Sequence, residues 1–119
     1  MNYLVKTPHT SNYPNPIHFK AGDFVQVGKT GPDFPGWIWV TTADGNQGWA
    51  PIQFIQVDEV SKNTTAIQDY FAQELNTKIG EKLVLHYELN GWGWVENKDH
   101  ECGWVPMETI RRFDENESE

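Results

Sequence analysis

The sequence has little of three things that commonly point to a function: cysteine, basic residues and long apolar stretches. Cys102 is the only cysteine, which excludes an internal disulfide and a cysteine-based zinc cluster and fits a reducing compartment. Nine Lys and Arg against 17 Asp and Glu give a formal charge of -8, which argues against DNA, RNA or an anionic membrane as partner. No apolar run is long enough for a signal peptide or a membrane span. We therefore expect a soluble, cytoplasmic protein without nucleic-acid or membrane partners.

Catalytic and metal-binding motifs are also scarce. The run His100, Glu101 and Cys102 offers metal-ligating atoms, but no further Cys or His follows at zinc spacing. Two positions apart on a strand, His100 and Cys102 would stand side by side rather than as a base poised on a nucleophile. There is no serine elbow and no phosphate-binding glycine loop. The sequence predicts no enzyme activity, no metal site and no cofactor.

The strongest feature that is present is an internal repeat. Gly36-Trp37 recurs as Gly91-Trp92, and the run 48–51 (GWAP) recurs as 103–106 (GWVP), both at an offset of 55. Upstream, the run 19–25 resembles 77–83 at an offset of 58. This is the pattern of a duplicated domain with a difference in loop length. We predict one domain over residues 1–58, a second over 64–113, and an acidic disordered tail over 114–119.

Each copy consists of short strand-like runs, and no stretch has helical periodicity. A copy of roughly 55 residues is near the lower limit for independent folding, so a closed or nearly closed barrel, which removes strand edges, is the economical solution. The expected fold class is all-β.

The second copy carries a family resemblance. Residues 66–72 (AIQDYFA) resemble the ALYDY opening of the Src-homology-3 (SH3) family, and Gly80-Glu81, Gly91-Trp92 and the run 103–106 follow in the family's order. The first copy keeps the later landmarks but has a divergent opening, in which His9 and Tyr13 are the plausible counterparts of the tyrosines. The whole chain resembles a bacterial-type tandem of SH3 domains, which implies two five-stranded barrels.

Two strands with paired tryptophans, GWIWV (36–40) and GWGWV (91–95), suggest a binding face. Side chains alternate along a strand, so Ile38, Val40 and Val95 are expected inside and the tryptophans outside. The resemblance implies a non-catalytic module that binds protein or peptide ligands, proline-rich or basic, in aromatic grooves. By this resemblance the candidate groove residues are Trp37, Pro51, Phe54 and Tyr13 in the first copy and Tyr70, Trp92 and Pro106 in the second, with Trp39 and Trp94 beside them.

Other interpretations remain open. Trp49 and Trp104 are expected to support the fold, whereas Trp39 and Trp94 suit either a structural or a binding role. The tryptophan faces could instead pack together in a structural or oligomerisation module, or form an aromatic cage for a small cationic group. Acidic side chains near a groove would favour Arg or Lys in a ligand.

Overall fold

The computed structural model describes residues 2–11, 15–30, 34–58 and 64–113, and these are all-β. Over these ranges the only helical elements are two three-residue 3-10 turns, Ile52–Phe54 and Met107–Thr109, neither of which could cross a membrane. The strands in the first half are β1 (Asn2–Val5), β2 (His18–Phe19), β3 (Gln26–Thr30), β4 (Trp37–Thr41), β5 (Gln47–Pro51) and β6 (Ile55–Val57). Those in the second half are β7 (Thr64–Ala66), β8 (Tyr70–Phe71), β9 (Lys82–Leu89), β10 (Trp92–Asn97), β11 (Cys102–Pro106) and β12 (Ile110–Arg112).

The chain divides into two compact units whose boundaries differ from the segments 1–58 and 64–113. One unit combines Met1–Pro14 with Gln73–Glu119, and the other is the continuous stretch Asn15–Ala72. We call them the split unit and the continuous unit. We call residues 1–14 the opening of the first copy and residues 64–72 the opening of the second copy. Each opening therefore belongs to a compact unit whose remaining strands come from the other copy. The predicted tail, 114–119, lies outside the described residues.

The split unit contains a five-stranded sheet in the order β11-β10-β9-β1-β12. The opening strand β1 lies inside this sheet, antiparallel to β9 through Leu4↔Lys82 and to β12 through Val5↔Ile110. Leu4 and Val5 are both buried, so this short strand contributes apolar surface as well as backbone hydrogen bonds. A strand from the start of the chain thus completes a sheet built from its end.

Alternating side chains of these strands form the core of the split unit. Val95 and Val105 are fully buried, as alternation along their strands predicts. The core cluster consists of Val5, Leu75, Leu83, Val95, Val105 and Ile110.

The continuous unit contains a three-stranded sheet, β3-β4-β5, and the pairs β2-β8 and β6-β7. The AIQDYFA stretch is part of this unit, because Ala66 pairs with Ile55 and Tyr70 pairs with Phe19. Val40 is completely buried, as predicted, whereas its neighbour Ile38 is half-buried.

Matching hydrogen bonds show that β1 and β7 occupy equivalent places. The Val5 N–H donates to the Glu81 carbonyl at 3.0 Å, and the Ala66 N–H donates to the Asp23 carbonyl at 2.8 Å. The following residue repeats the correspondence, since Lys6 N–H donates to Thr109 O and Ile67 N–H to Phe54 O, each at 2.8 Å. The two openings are thus exchanged between otherwise equivalent frameworks.

The expected closure into five-stranded barrels is not observed, because none of the sheets formed by the described residues closes. In the continuous unit, β7 is joined to the residues just before β3 by an isolated bridge, Phe24↔Thr65. In the split unit, β11 is flanked by an isolated parallel bridge, Glu74↔Trp104, rather than by a strand. Isolated bridges replace continuous ladders at these points, so the sheets stay open.

Candidate functional site

An aromatic face covers β10 and β11 of the split unit. Trp92 lies opposite Pro106, and Trp94 lies opposite Trp104, in the antiparallel register of these strands. Because Val95 is turned into the core, the tryptophans of β10 are on the opposite side of the sheet. Trp92, Trp94 and Pro106 are all half-buried, so part of each remains accessible.

Trp104 supports this face from within. Its ring contacts those of Trp94 and Tyr87 edge to face, with centroids 5.4 and 5.5 Å apart, and only 3% of Trp104 is exposed. Tyr87 is exposed, and the partial burial of its hydroxyl raises the pKa of that group. Trp104 thus holds the neighbouring rings in place while they remain at the surface.

One end of the face is formed by the exchanged opening segment. The His9 ring meets Trp92 in a T-shaped contact with centroids 5.6 Å apart. His9 Nε2 also lies 2.7 Å from Glu74 Oε1, and the His9 backbone exchanges hydrogen bonds with Thr77. The exchanged segment therefore positions a histidine and, beside it, a carboxylate at the tryptophan.

The corresponding face of the continuous unit has the same register but is more enclosed. Trp37 lies opposite Pro51, and Trp39 lies opposite Trp49 with ring centroids 5.3 Å apart. Trp37 and Pro51 are buried, whereas Trp49 is half-buried and its ring also contacts Phe34 at 5.1 Å. In this unit the tryptophan expected outside is the more deeply buried one, and the one expected to support the fold is the more accessible.

Tyr70 and Phe54 lie together in the continuous unit. Tyr70 contacts Phe54 at 5.7 Å and Phe19 at 5.3 Å between ring centroids, and its hydroxyl donates to the Trp49 carbonyl at 3.1 Å. Both Tyr70 and Phe54 are buried. Tyr70 is therefore grouped with first-copy residues, not with Trp92 as the sequence suggested, because its segment completes the continuous unit.

Three of the residues predicted for the second groove lie together, and one predicted for the first groove is not described by the structure. Trp92, Trp94 and Pro106 come together on the split unit, whereas Tyr13 lies outside the described residues. Glu74 and Tyr87 also belong to this region, although the sequence motifs did not predict them as site residues. Glu74 could have been predicted, because it follows the ALYDY-like stretch closely. Tyr87 could not, because it joins the face only through its pairing with Trp94, and the sequence does not show strand register.

The first part of the chain matches a known protein family. Residues 3–58 match the family model described as the variant SH3 domain. The match covers just under half of the chain and includes β1 to β6. SH3 domains are in general non-catalytic modules that bind protein or peptide partners. No curated protein and no solved structure matches the chain significantly.

The one cysteine is chemically unsuited to act as a nucleophile by itself. Burial, and after it the negative charge of Glu96, raises the pKa of the Cys102 thiol. The thiolate is the nucleophilic form, so at neutral pH the side chain is held in its unreactive state.

Proposed function

We propose that the chain is a pair of SH3-like units with exchanged opening segments, and that the aromatic face of the split unit binds an extended peptide. The observation that carries this proposal is the difference in burial between equivalent residues. Trp92 and Pro106 keep accessible surface, while Trp37 and Pro51, at the matching places of the continuous unit, are buried. One open groove per chain is therefore the expected stoichiometry.

The residues around Trp92 favour an apolar ligand with a basic end. Partly exposed aromatic rings next to a proline suit a polyproline II segment, which loses little conformational entropy on binding. The proposed partner for an Arg or Lys of the ligand is the Glu74 carboxylate, which lies beside His9 at one end of this face and is 12% exposed. The formal charge of -8 would also speed the encounter with a basic partner.

The family match supports peptide binding as the function, and the internal repeat relates the proposed groove to the matched segment. The matched segment includes His9 but ends before Trp92, which is the repeat counterpart of Trp37 within the match. The repeat therefore connects the proposed groove with the family's general function as an interaction module.

The test is a titration of isotope-labelled protein with proline-rich peptides that carry a flanking arginine, followed by NMR. Shifts are expected at Trp92, Trp94 and Tyr87. The variant Trp92→Ala should weaken binding by at least about 30-fold, the equivalent of about 2 kcal/mol for an aromatic anchor. Glu74→Gln should reduce the preference for arginine-containing over neutral peptides.

The matched control is Trp37→Ala. Because Trp37 is buried, this change should lower the free energy of unfolding by roughly 3–5 kcal/mol, while peptide affinity of the molecules that remain folded should be unchanged. Wild-type affinity in Trp92→Ala, or ligand-induced shifts confined to the continuous unit, would contradict the proposed groove.

A further inference from the structure

Three adjacent strands of the split unit bring metal-ligating side chains together. His86 on β9, Glu96 on β10 and Cys102 on β11 have ligand atoms that all lie within 4.8 Å of one another. His86 Nε2 is 2.9 Å from Glu96 Oε1, and His100 Nδ1 is 2.8 Å from Glu96 Oε2. The residues are distant enough in sequence that their spacing does not resemble a metal-binding motif.

Strand register and a bulge produce this cluster. Glu96 lies directly opposite Cys102, which places their side chains on the same face. On the other side, Trp94 pairs with Tyr87 but Val95 pairs with Leu85, so His86 is the extra residue of a β-bulge. A bulge re-aims its side chains, and here the His86 ring reaches Glu96.

The continuous unit shows that the fold does not require these side chains. The positions that match His86, Glu96 and Cys102 are Gly28, Thr41 and Gln47, by the offsets of 58 and 55. There a neutral hydrogen bond of 3.1 Å joins Gln47 Nε2 to Thr41 Oγ1. The same framework thus carries a neutral pair in one unit and a set of metal-ligating groups in the other.

His100 is another metal-ligating residue that has no such counterpart in the continuous unit. It has a positive φ of 65°, at the turn position where the continuous unit has Gly45 with a φ of 86°. Most side chains avoid this conformation, although histidine is among those that tolerate it. His100 thereby adds a second imidazole to Glu96.

We propose that His86, Glu96 and Cys102 bind one zinc-class divalent transition metal ion, with water as the fourth ligand and His100 as a positioning residue for Glu96. Nitrogen, carboxylate oxygen and thiolate sulfur form a donor set that suits Zn²⁺. The thiolate and the carboxylate together balance the two positive charges of the ion. On binding, the Cys102 thiol gives its proton to solvent as the sulfur–metal bond forms.

The ligand atoms must shift in two directions to accept the ion. Tetrahedral ligands at zinc distances are roughly 3.3–3.6 Å apart, so the 2.9 Å contact between His86 and Glu96 must open by less than about 1 Å. The wider separations in the cluster, which reach at most 4.8 Å, must close by up to about 1.5 Å. The His86 side chain is 44% exposed and that of Glu96 is 27% exposed, which leaves room for this rotation.

Titration of the metal-free protein with Zn²⁺ by calorimetry tests the site, with Co²⁺ as a spectroscopic probe. The expected result is saturation at one ion per chain and, with Co²⁺, a thiolate-to-metal charge-transfer band with tetrahedral d–d absorption. His86→Ala, Glu96→Gln and Cys102→Ser should each weaken binding at least about 100-fold, since even outer-shell changes cost 10- to 100-fold. His100→Ala should weaken it about 10-fold.

The matched control is His18→Ala, which removes an exposed histidine of the continuous unit and should leave the affinity within about 2-fold of wild type. Apo-protein unfolding curves of all variants show whether each is folded. Absence of saturable binding, a Co²⁺ complex without the thiolate band, or equal losses in His18→Ala and His86→Ala would overturn the proposal. Because no peptide is involved, its failure is independent of the proposed groove.

Discussion

Replacing Val5 by alanine reports which part of the chain the opening strand stabilises. Val5 is 2% exposed and packs in the split-unit core with residues such as Leu83 and Ile110. The change removes two methyl groups, worth roughly 0.8 kcal/mol each in transfer free energy, and leaves a cavity that adds a similar amount. We expect a loss of about 2–3 kcal/mol in the stability of the split unit.

Native-state hydrogen exchange locates this loss. Split-unit amides that exchange through unfolding of that unit should exchange roughly 30- to 150-fold faster, the equivalent of 2–3 kcal/mol. They lie on β9, β10 and β11, at least 75 positions further along the chain. Amides of β3, β4 and β5 should keep their wild-type protection, although they are much closer to Val5 in sequence.

The control is Val40→Ala, the same change at a fully buried position of the continuous unit. It should reverse the pattern, accelerating exchange on β3 to β5 and sparing β9 to β11. If Val5→Ala instead accelerates exchange on β3 to β5 and leaves β9 to β11 protected, the opening strand belongs to the unit next to it in sequence, and the exchange of openings is refuted.

Two further predictions compare equivalent positions or neighbouring groups. Gly103→Ala should lower the free energy of unfolding by about 2–4 kcal/mol in chemical unfolding, since a Cβ there would lie 2.8 Å from the backbone nitrogen of Leu75. Gly48→Ala should cost less, about 1 kcal/mol, because the nearest atoms to its Cβ, 3.3 Å away, belong to the buried side chain of Ile17 rather than to the backbone. Hydrogen bonds from the Thr42 hydroxyl and the Asn46 N–H lower the pKa of Asp44. These hydrogen bonds therefore stabilise the folded protein above the ordinary aspartate pKa, and their contribution disappears as the pH falls through the lowered value. An NMR titration should show that Thr42→Val moves the titration midpoint of Asp44 upward.

Local pattern was enough to predict the strands and much of the core. Alternation placed Val40 and Val95 inside, and the duplicated landmarks predicted two equivalent frameworks. These features depend on neighbouring residues and on the period of a strand, which a sequence displays directly.

The partner of each opening strand could not be predicted in the same way. Val5 and Ala66 both suit a buried strand position, and each makes the same backbone hydrogen bonds in its own unit. Which framework each one joins is decided by long-range packing rather than by local pattern. For the same reason, the identical GW motifs of Trp37 and Trp92 gave no indication that one would be buried and the other accessible.

The metal-ligating cluster was missed because it depends on register. His86 is ten positions from Glu96, and only the bulge in β9 brings its ring to that carboxylate. In the sequence, the adjacent run 100–102 is the visible group of metal-ligating residues, but Glu101 is exposed and its carboxylate accepts a hydrogen bond from the Asn97 side chain.

The exchange of openings also has a consequence for the order of events during synthesis. The continuous unit is complete once Ala72 has been made, but the split unit must wait for β12, whose Arg112 pairs with Tyr3. Pairing residues so far apart carries a large loop-closure cost, and prior folding of the intervening continuous unit shortens the effective loop. We expect β1 to remain without its sheet until β9 to β12 have left the ribosome, so that pulse-labelled exchange on stalled chains would find Asn15–Ala72 protected first.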